Sequence, residues 1–256
     1  MNVNYQYYKK NGFILFENLL KKKDIIFLKK RLNYLEKNQK KGRGLSEPGV
    51  RKSLIHSVHK DEILKNLIEK KEWFQNISKK LLLTDEIYSW NAKSNLKKKW
   101  CGSAEYYHQD WIYWKDLGFK LSNMLSCMVF VDDHSHQNGG LWVFPKSHKK
   151  LYPHDKFLNI NSLQKYLINS KILTQLNKKN KAISIKAEAG SCLFFNSKLV
   201  HGSGHNISPE NRNILLYNIT SKENINSAKR DKIQSFNRKE RINYELKELK
   251  ERISNL

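Results

Sequence analysis

From Asp85 onward the chain breaks into short apolar runs, and this change of texture constrains the fold more than any other feature. Glu86 to Asn91, Tyr106 to Tyr113, Met124 to Val131, Leu141 to Phe144, Ala182 to Ala187, Ser191 to Asn196 and Asn213 to Ile219 read as strands. Gly, Pro and Asn turns separate them, and short strands at such spacing predict a sandwich or jelly roll. Asn138-Gly139-Gly140 is the clearest of these turn signals.

The region before Asp85 is mainly helical. Gly12 to Phe16 predicts a short strand. Leu20, Ile25, Leu28, Leu32 and Leu35 then recur with helical spacing, predicting an amphipathic helix over Leu19 to Glu36. Gly42, Gly44, Pro48 and Gly49 mark a loop, and a second helical stretch runs from about Asp61 to Leu83. From Asn224 to Leu256 a charged helix is expected, with Ile242, Leu246, Leu249 and Ile253 alternating spacings of four and three. That length is marginal for an autonomous coiled coil, so packing on the same domain is expected, with dimerisation the minority option. The reading is one domain over 1–256: a helical part at 1–84, a β core at 85–222 and a helix at 223–256.

Composition narrows the classes. A hydrophobic fraction of 39% with 11% aromatics is globular. No run approaches the roughly 18 apolar residues that cross a bilayer. Met1 to Lys10 is polar and lacks the apolar core of a signal peptide, so a cytoplasmic protein is expected. Cys101, Cys127 and Cys192 form no Cys-x-x-Cys pair and are expected as free thiols, the latter two buried. The 48 basic against 24 acidic residues give a formal charge of +24. Nucleic acid or an anionic substrate would suit that charge. The lysines are dispersed along the chain, however, which favours compositional bias over a nucleic-acid site.

His108-Gln109-Asp110, followed far downstream by His201 and Arg212, carries the chemistry. Two imidazoles and one carboxylate are the ligand set of a non-haem Fe(II) site with open positions for other ligands. On a strand His108 and Asp110 would share a face, with Gln109 pointing away. His201, after the buried-looking run Cys192 to Asn196, would then close the site from the opposite wall. Arg212 can grip the distal carboxylate of a keto-acid cosubstrate with its planar fork, and Ser203 can add a hydroxyl. A lone His-x-Asp pair is a weak signal; the ordered set is a stronger one. His134 and His136, beside the Asn-Gly-Gly turn, read as a solvated loop. His148, His154 and His205 read as surface or supporting groups.

The residues then carry a resemblance. His108-Gln109-Asp110-Trp111, the strand Met124 to Val131, Asn138-Gly139-Gly140-Leu141 and Pro145-Lys146-Ser147-His148 resemble the phytanoyl-CoA dioxygenase family of Fe(II)/2-oxoglutarate oxygenases. Ala189-Gly190 through His201-Gly202-Ser203 to Arg212 matches its distal half, and Gly12-Phe13 its opening strand. The resemblance covers most of residues 5 to 220. It implies a mainly β fold with flanking helices, built on a double-stranded β-helix (jelly roll, cupin-like). It also implies Fe(II) held by His108, Asp110 and His201, 2-oxoglutarate secured by Arg212 and Ser203, and O2 as co-reactant. Within the family the chain is similar to the ectoine-hydroxylase branch. That likeness implies Lys97, in the triplet Lys97-Lys98-Lys99, as a further 2-oxoglutarate ligand and Trp114 as a substrate contact. The branch's upstream Gln and Arg stand here as Asn91 and Lys93, a departure that bears on the substrate. Asp110 fills the position that halogenases of this class leave open for chloride, which implies hydroxylation.

For the substrate, the expectation is a small molecule, amino-acid-like or anionic, contacted by Trp114, Asn91 and Trp111. Tyr113 and Trp142 are further candidates, although each ring is more often core than contact, Trp142 most clearly. Two other classes stand against this. A non-catalytic β-sandwich binding module gives no reason for the ordered ligand set, and a nucleic-acid-binding protein rests on charge alone. A monomer or a homodimer would each suit the chain.

Overall fold

A computed structural model describes residues 2–38, 52–56, 58–159 and 164–227. Its helices are α1 (Tyr5–Asn11), α2 (Lys22–Asn38), the single turn α3 (Glu62–Leu64), α4 (Glu72–Leu82), α5 (Trp111–Trp114), α6 (Ser170–Lys179) and α7 (Lys222–Ser227). The strands are β1 (Phe13–Phe16), β2 (Lys52–His56), β3 (Ile87–Lys97), β4 (Glu105–His108), β5 (Leu125–Phe130) and β6 (Leu141–Val143), followed by β7 (Asp155–Asn159), β8 (Gln164–Leu167), β9 (Ile183–Ser184), β10 (Cys192–Asn196), β11 (His201–Ser203) and β12 (Arg212–Ser221). A six-stranded sheet in the order β1-β10-β5-β12-β3-β2 packs with a four-stranded sheet, β4-β11-β6-β9, and β7 and β8 form a separate hairpin.

Alternation along the strands assigns two cores. Met128, Phe130, Leu193, Phe195, Ile214 and Leu216 of the large sheet meet Leu141 and Val143 of the small one. Their strand neighbours Cys127, Val129, Cys192, Phe194, Leu215 and Tyr217 face the helices instead. There they pack with Leu28 and Leu32 of α2, Leu64 of α3 and Phe74, Ile77 and Leu81 of α4. Both faces of β5 and β10 are therefore buried, which explains why these runs read as continuously apolar. Cys127 and Cys192 are buried, Cys101 is half-buried, and all three are free thiols.

The two helices predicted before Asp85 are present with local corrections. The stretch from Asp61 to Leu83 is interrupted by a π-helical turn at Lys65–Glu69, where Lys70 N–H reaches back to the Lys65 carbonyl at 2.8 Å. Asp61 caps α3 by accepting Leu64 N–H at 3.0 Å and is gripped by Arg31 of α2, so the first break is fixed by tertiary contact. Short α1 and α6 were not legible from apolar periodicity. Asn4 and Asn169 cap them, and Gly12 ends α1 at φ +86. Strand β2 also lies outside the sequence expectation. The loop at 42–49 and the tail from 228 lie outside the described residues. Among the described residues no helix is long and apolar enough to cross a membrane.

Candidate metal centre

His108 ends β4 and His201 opens β11, and the two are paired residues of adjacent antiparallel strands. Their rings approach to 4.4 Å between centroids. His201 thus stands beside His108 in one sheet, not on an opposite wall as its sequence context suggests. Asp110 is not on the strand either. The chain leaves the ladder after His108, and Asp110 has helical dihedrals (φ −56, ψ −33) at the head of α5. Trp111 and Tyr113 are accordingly helical, where sequence predicts strand. The turn still points the carboxylate inward: Asp110 Oδ1 lies 3.8 Å from His108 Nε2 and 3.9 Å from His201 Nε2. The ligand atoms of all three lie within 4.8 Å of one another, and among the described residues no other group of three such side chains does so.

Each ligand is oriented from behind. His108 Nδ1 pairs with the Tyr106 carbonyl at 2.8 Å and His201 Nδ1 with the Leu199 carbonyl at 2.9 Å. Both carbonyls require Nδ1–H, which leaves both Nε2 lone pairs facing the centre, the tautomer a metal needs. Burial, with His201 alongside, pulls the His108 imidazole down to about 4, so it is neutral at pH 7. Ser126 Oγ lies 3.1 Å from Asp110 Oδ2 and 3.2 Å from Asn218 Oδ1.

Two glutamines hold the surrounding backbone, Gln109 of the motif and Gln164, which the sequence does not single out. Gln109 faces away from the centre, as expected. Its amide donates to the Lys150 carbonyl (2.8 Å) and the Lys198 carbonyl, and its Oε1 accepts Tyr152 N–H at 2.8 Å. Its own backbone N–H goes to His154 Nε2, so it takes no further part in the strand ladder. Gln164 clamps both backbone groups of Tyr106, accepting at 2.8 Å and donating at 2.7 Å. Gln164 lies beside His108 in space but 56 residues further along the chain, a separation that leaves no pattern in a single sequence.

A second polar cluster lies at the end of β3 and the start of β12, where Lys97 and Arg212 are paired residues. Lys97 is 0% exposed, whereas Lys98 and Lys99 are exposed, so one lysine of the triplet points inward. Its ammonium donates to Ser203 Oγ at 2.7 Å and to the carbonyls of Gly204 (2.6 Å) and Gly139 (3.3 Å). Gly139, at φ +77, passes so close that a Cβ there would sit 3.0 Å from Lys97 Cδ. The Asn-Gly-Gly turn is therefore shaped against this cluster. Arg212 is 2% exposed, and its Nε has no hydrogen-bond partner. Burial lowers Arg212 to about 10, which leaves it cationic at neutral pH. The carboxylates of Glu105 and Asp132 offset part of that burial, but the Nε donor still lacks an acceptor, and a buried unmade hydrogen bond is costly.

The remaining candidates divide. Asn91 lies on β3, half-buried, opposite Asn218 of β12. Trp114 is buried in an aromatic cluster, edge-on to Trp90 at 5.5 Å and packed with Phe119 and Met124, and Trp111 packs against the same cluster. Tyr113 meets the His108 ring edge-on at 5.9 Å. Trp142, expected in the core, is half-buried. His134, expected in a solvated loop, is 1% exposed and stacks on Phe130 with centroids 4.4 Å apart. A β-bridge to Ala187 draws its backbone into the sheet, which the polar composition around it concealed.

A family model for phytanoyl-CoA dioxygenase (PhyH) matches residues 8–214, and the chain belongs to this family. It is 26% identical over 217 residues to an ectoine dioxygenase from Bordetella bronchiseptica, spanning 80% of this chain and 70% of that protein. It is 23% identical over 222 residues to an L-proline trans-4-hydroxylase from Streptomyces griseoviridis, 82% of each. EctD from S. alaskensis, solved with 2-oxoglutarate and 5-hydroxyectoine, matches its fold with a TM-score of 0.73 at 20% identity, covering 86% of this chain and 76% of that one. The core is thus the double-stranded β-helix that the family resemblance implies, a jelly roll as the strand pattern predicts. The protein is an Fe(II)- and 2-oxoglutarate-dependent dioxygenase, a hydroxylase of small molecules.

Proposed function

We propose that His108, Asp110 and His201 hold the iron and that Lys97, Ser203 and Arg212 hold the distal carboxylate of 2-oxoglutarate. We further propose that the substrate is a small amino-acid-like molecule. The observation that carries the assignment is the convergence of two Nε2 lone pairs and one carboxylate at one point, with the buried Lys97–Arg212 pair behind it. The residues fit both groups. The donor set is that of a non-haem iron site, and the idle Nε of Arg212 suits an anion.

Iron with 2-oxoglutarate and O2 supplies the oxidising power, releasing succinate and CO2 and placing one oxygen atom on a substrate C–H bond. The chain's own residues do the positioning. The two Nδ1–carbonyl hydrogen bonds hold the imidazoles in register, and Ser126 steadies Asp110. Lys97 and Arg212 set the depth at which a dicarboxylate seats.

For the substrate, the relatives named for ectoine and L-proline support a small amino-acid-like molecule. Asn91 and Lys93 alternate with Lys97 on one face of β3 and are the residues best placed to recognise its polar groups. Trp111 is a candidate wall, and Trp114 acts through the cluster it packs in. The test is anaerobic Fe(II) titration, then succinate release, then a metabolite screen for products heavier by one oxygen. One equivalent of tightly bound Fe(II) is expected, lost in Asp110→Ala. Unchanged iron binding in that variant would refute the ligand assignment.

A further inference from the structure

We propose that His134 is a third cosubstrate-binding group, donating its Nδ1–H to the distal carboxylate of 2-oxoglutarate beside Lys97 and Arg212. This rests on the reading of Lys97, Ser203 and Arg212 as the carboxylate end. His134 is buried, and its backbone is fixed in both directions: its N–H donates to the Ala187 carbonyl at 2.8 Å, and its carbonyl accepts Ala187 N–H at 3.0 Å. The ring has one orientation set by chemistry. Leu141 N–H donates to Nε2 at 2.7 Å, so the lone pair sits on Nε2. Burial, reinforced by the charges of Arg212 and Lys97, holds the imidazole well below its ordinary value, so it is neutral and its proton is on Nδ1. That Nδ1 is buried and has no hydrogen-bond partner.

The surroundings place this idle donor at the carboxylate end. The ring stacks on Phe130, whose paired residue on β12 is Ile214, two residues from Arg212 on the same face. The Asn-Gly-Gly turn accommodates the ring: a Cβ on Gly140 would lie 3.2 Å from His134 Cδ2 and 2.3 Å from the Ser135 carbonyl oxygen. One buried Nε of Arg212 and one buried Nδ1 of His134 thus both lack acceptors in the same region. A carboxylate supplies acceptors for both. A neutral donor adds a directional contact there without adding a third positive charge, which selects for a carboxylate at that distance over shorter or uncharged oxo acids.

The test uses the full chain loaded with Zn(II), which binds without turnover. Titration calorimetry would follow two probes: 2-oxoglutarate, and 2-oxobutyrate, which lacks the distal carboxylate. His134→Leu is expected to raise the Kd of 2-oxoglutarate about 10-fold or more, as for a hydrogen bond to a charged group. The Kd of 2-oxobutyrate should be unchanged. His134→Gln should recover most of the loss, because its amide can accept from Leu141 N–H and still donate. Equal weakening of both probes, or of neither, while Arg212→Met weakens 2-oxoglutarate alone, overturns the role of His134 and leaves the pocket standing. If Arg212→Met also leaves 2-oxoglutarate binding intact, the pocket itself is misassigned. Nitrogen-15 NMR of the wild-type protein gives a reading that needs no folded variant. The His134 Nδ1–H resonance should shift with 2-oxoglutarate and not with 2-oxobutyrate, and an unmoved resonance overturns the proposal.

Discussion

The two polar clusters inside the β-helix are built by opposite means. At the proposed metal end the imidazoles are oriented locally: the carbonyl two residues before each histidine fixes its tautomer. At the proposed carboxylate end nothing is local. Lys97, Ser203, Arg212, His134 and Gly139 come from three strands and one turn. The first cluster is complete as a ligand set before anything binds. The second leaves buried donors on Arg212 and His134 without acceptors. The contrast suggests that the iron site is held rigid by short-range bonds, whereas the carboxylate pocket stays costly until the dicarboxylate arrives.

The most severe break in this comparison is at the metal end. Asp110→Ala removes the one anionic ligand and should cost more than about 100-fold in succinate formation, beyond what the loss of an outer hydrogen-bond partner typically costs. Far-UV circular dichroism should stay native, because the helical turn of α5 does not depend on a side-chain cap from Asp110. A variant with near-normal turnover would mean that His108 and His201 serve another purpose.

Arg212→Met probes the other end. Losing a charge-assisted contact should raise the KM for 2-oxoglutarate about 10- to 100-fold, with a smaller change in kcat. Steady-state kinetics with 2-oxoglutarate varied decides this. A fall in kcat at unchanged KM would place Arg212 at the reacting centre and erase the distinction between the ends.

Gln109→Ala tests how far the metal end, beyond its two local imidazole–carbonyl bonds, also depends on contacts distant in sequence. It strips partners from the Lys150 and Lys198 carbonyls and from Tyr152 N–H. These bonds are part-buried, so each one lost costs about 1 kcal/mol. Iron affinity should fall about 10-fold, as for other groups that orient ligands. The thermal midpoint should drop by about 2–4 °C for each kcal/mol lost. Reduced stability with unchanged iron affinity would show that Gln109 supports the fold and not the site.

The same contrast explains what the sequence made legible. Strand positions β5, β10 and β12 and the ligand set could be read because apolar runs and a His-x-Asp pair are local signals. What the runs could not show was pairing: only the sheet order reveals that His201 lies next to His108. Sequence predicts Asp110 on a strand because periodicity cannot register the moment a chain leaves its ladder. In this case Gln109 diverts its hydrogen bonds to Tyr152, His154 and two carbonyls. Sequence predicts His134 in solvent because its polar neighbours Asp132, Asp133 and Ser135 give no sign of the β-bridge to Ala187. Trp114, singled out as a contact, is held in a cluster with Trp90 and Phe119, a packing that spacing alone does not disclose.

The smallest expected effect sharpens the carboxylate end most. The three lysines of Lys97-Lys98-Lys99 are chemically identical in sequence, and burial separates them: Lys97 ends β3 and is buried, whereas Lys98 and Lys99 lie beyond the strand and are exposed. If charge near the pocket mouth sufficed, removing any of them would weaken 2-oxoglutarate. Contact predicts otherwise. Lys98→Ala and Lys99→Ala should change its KM by less than about fivefold, since exposed charges are screened by salt and contribute at most about 1 kcal/mol. Lys97→Met should raise it about 10-fold or more through the lost hydrogen bonds at a buried position. Kinetics at low and at 0.5 M salt distinguish the cases. A salt-sensitive loss in Lys98→Ala comparable to that of Lys97→Met would show that the pocket draws its anion by diffuse field and not by a buried, directed ammonium.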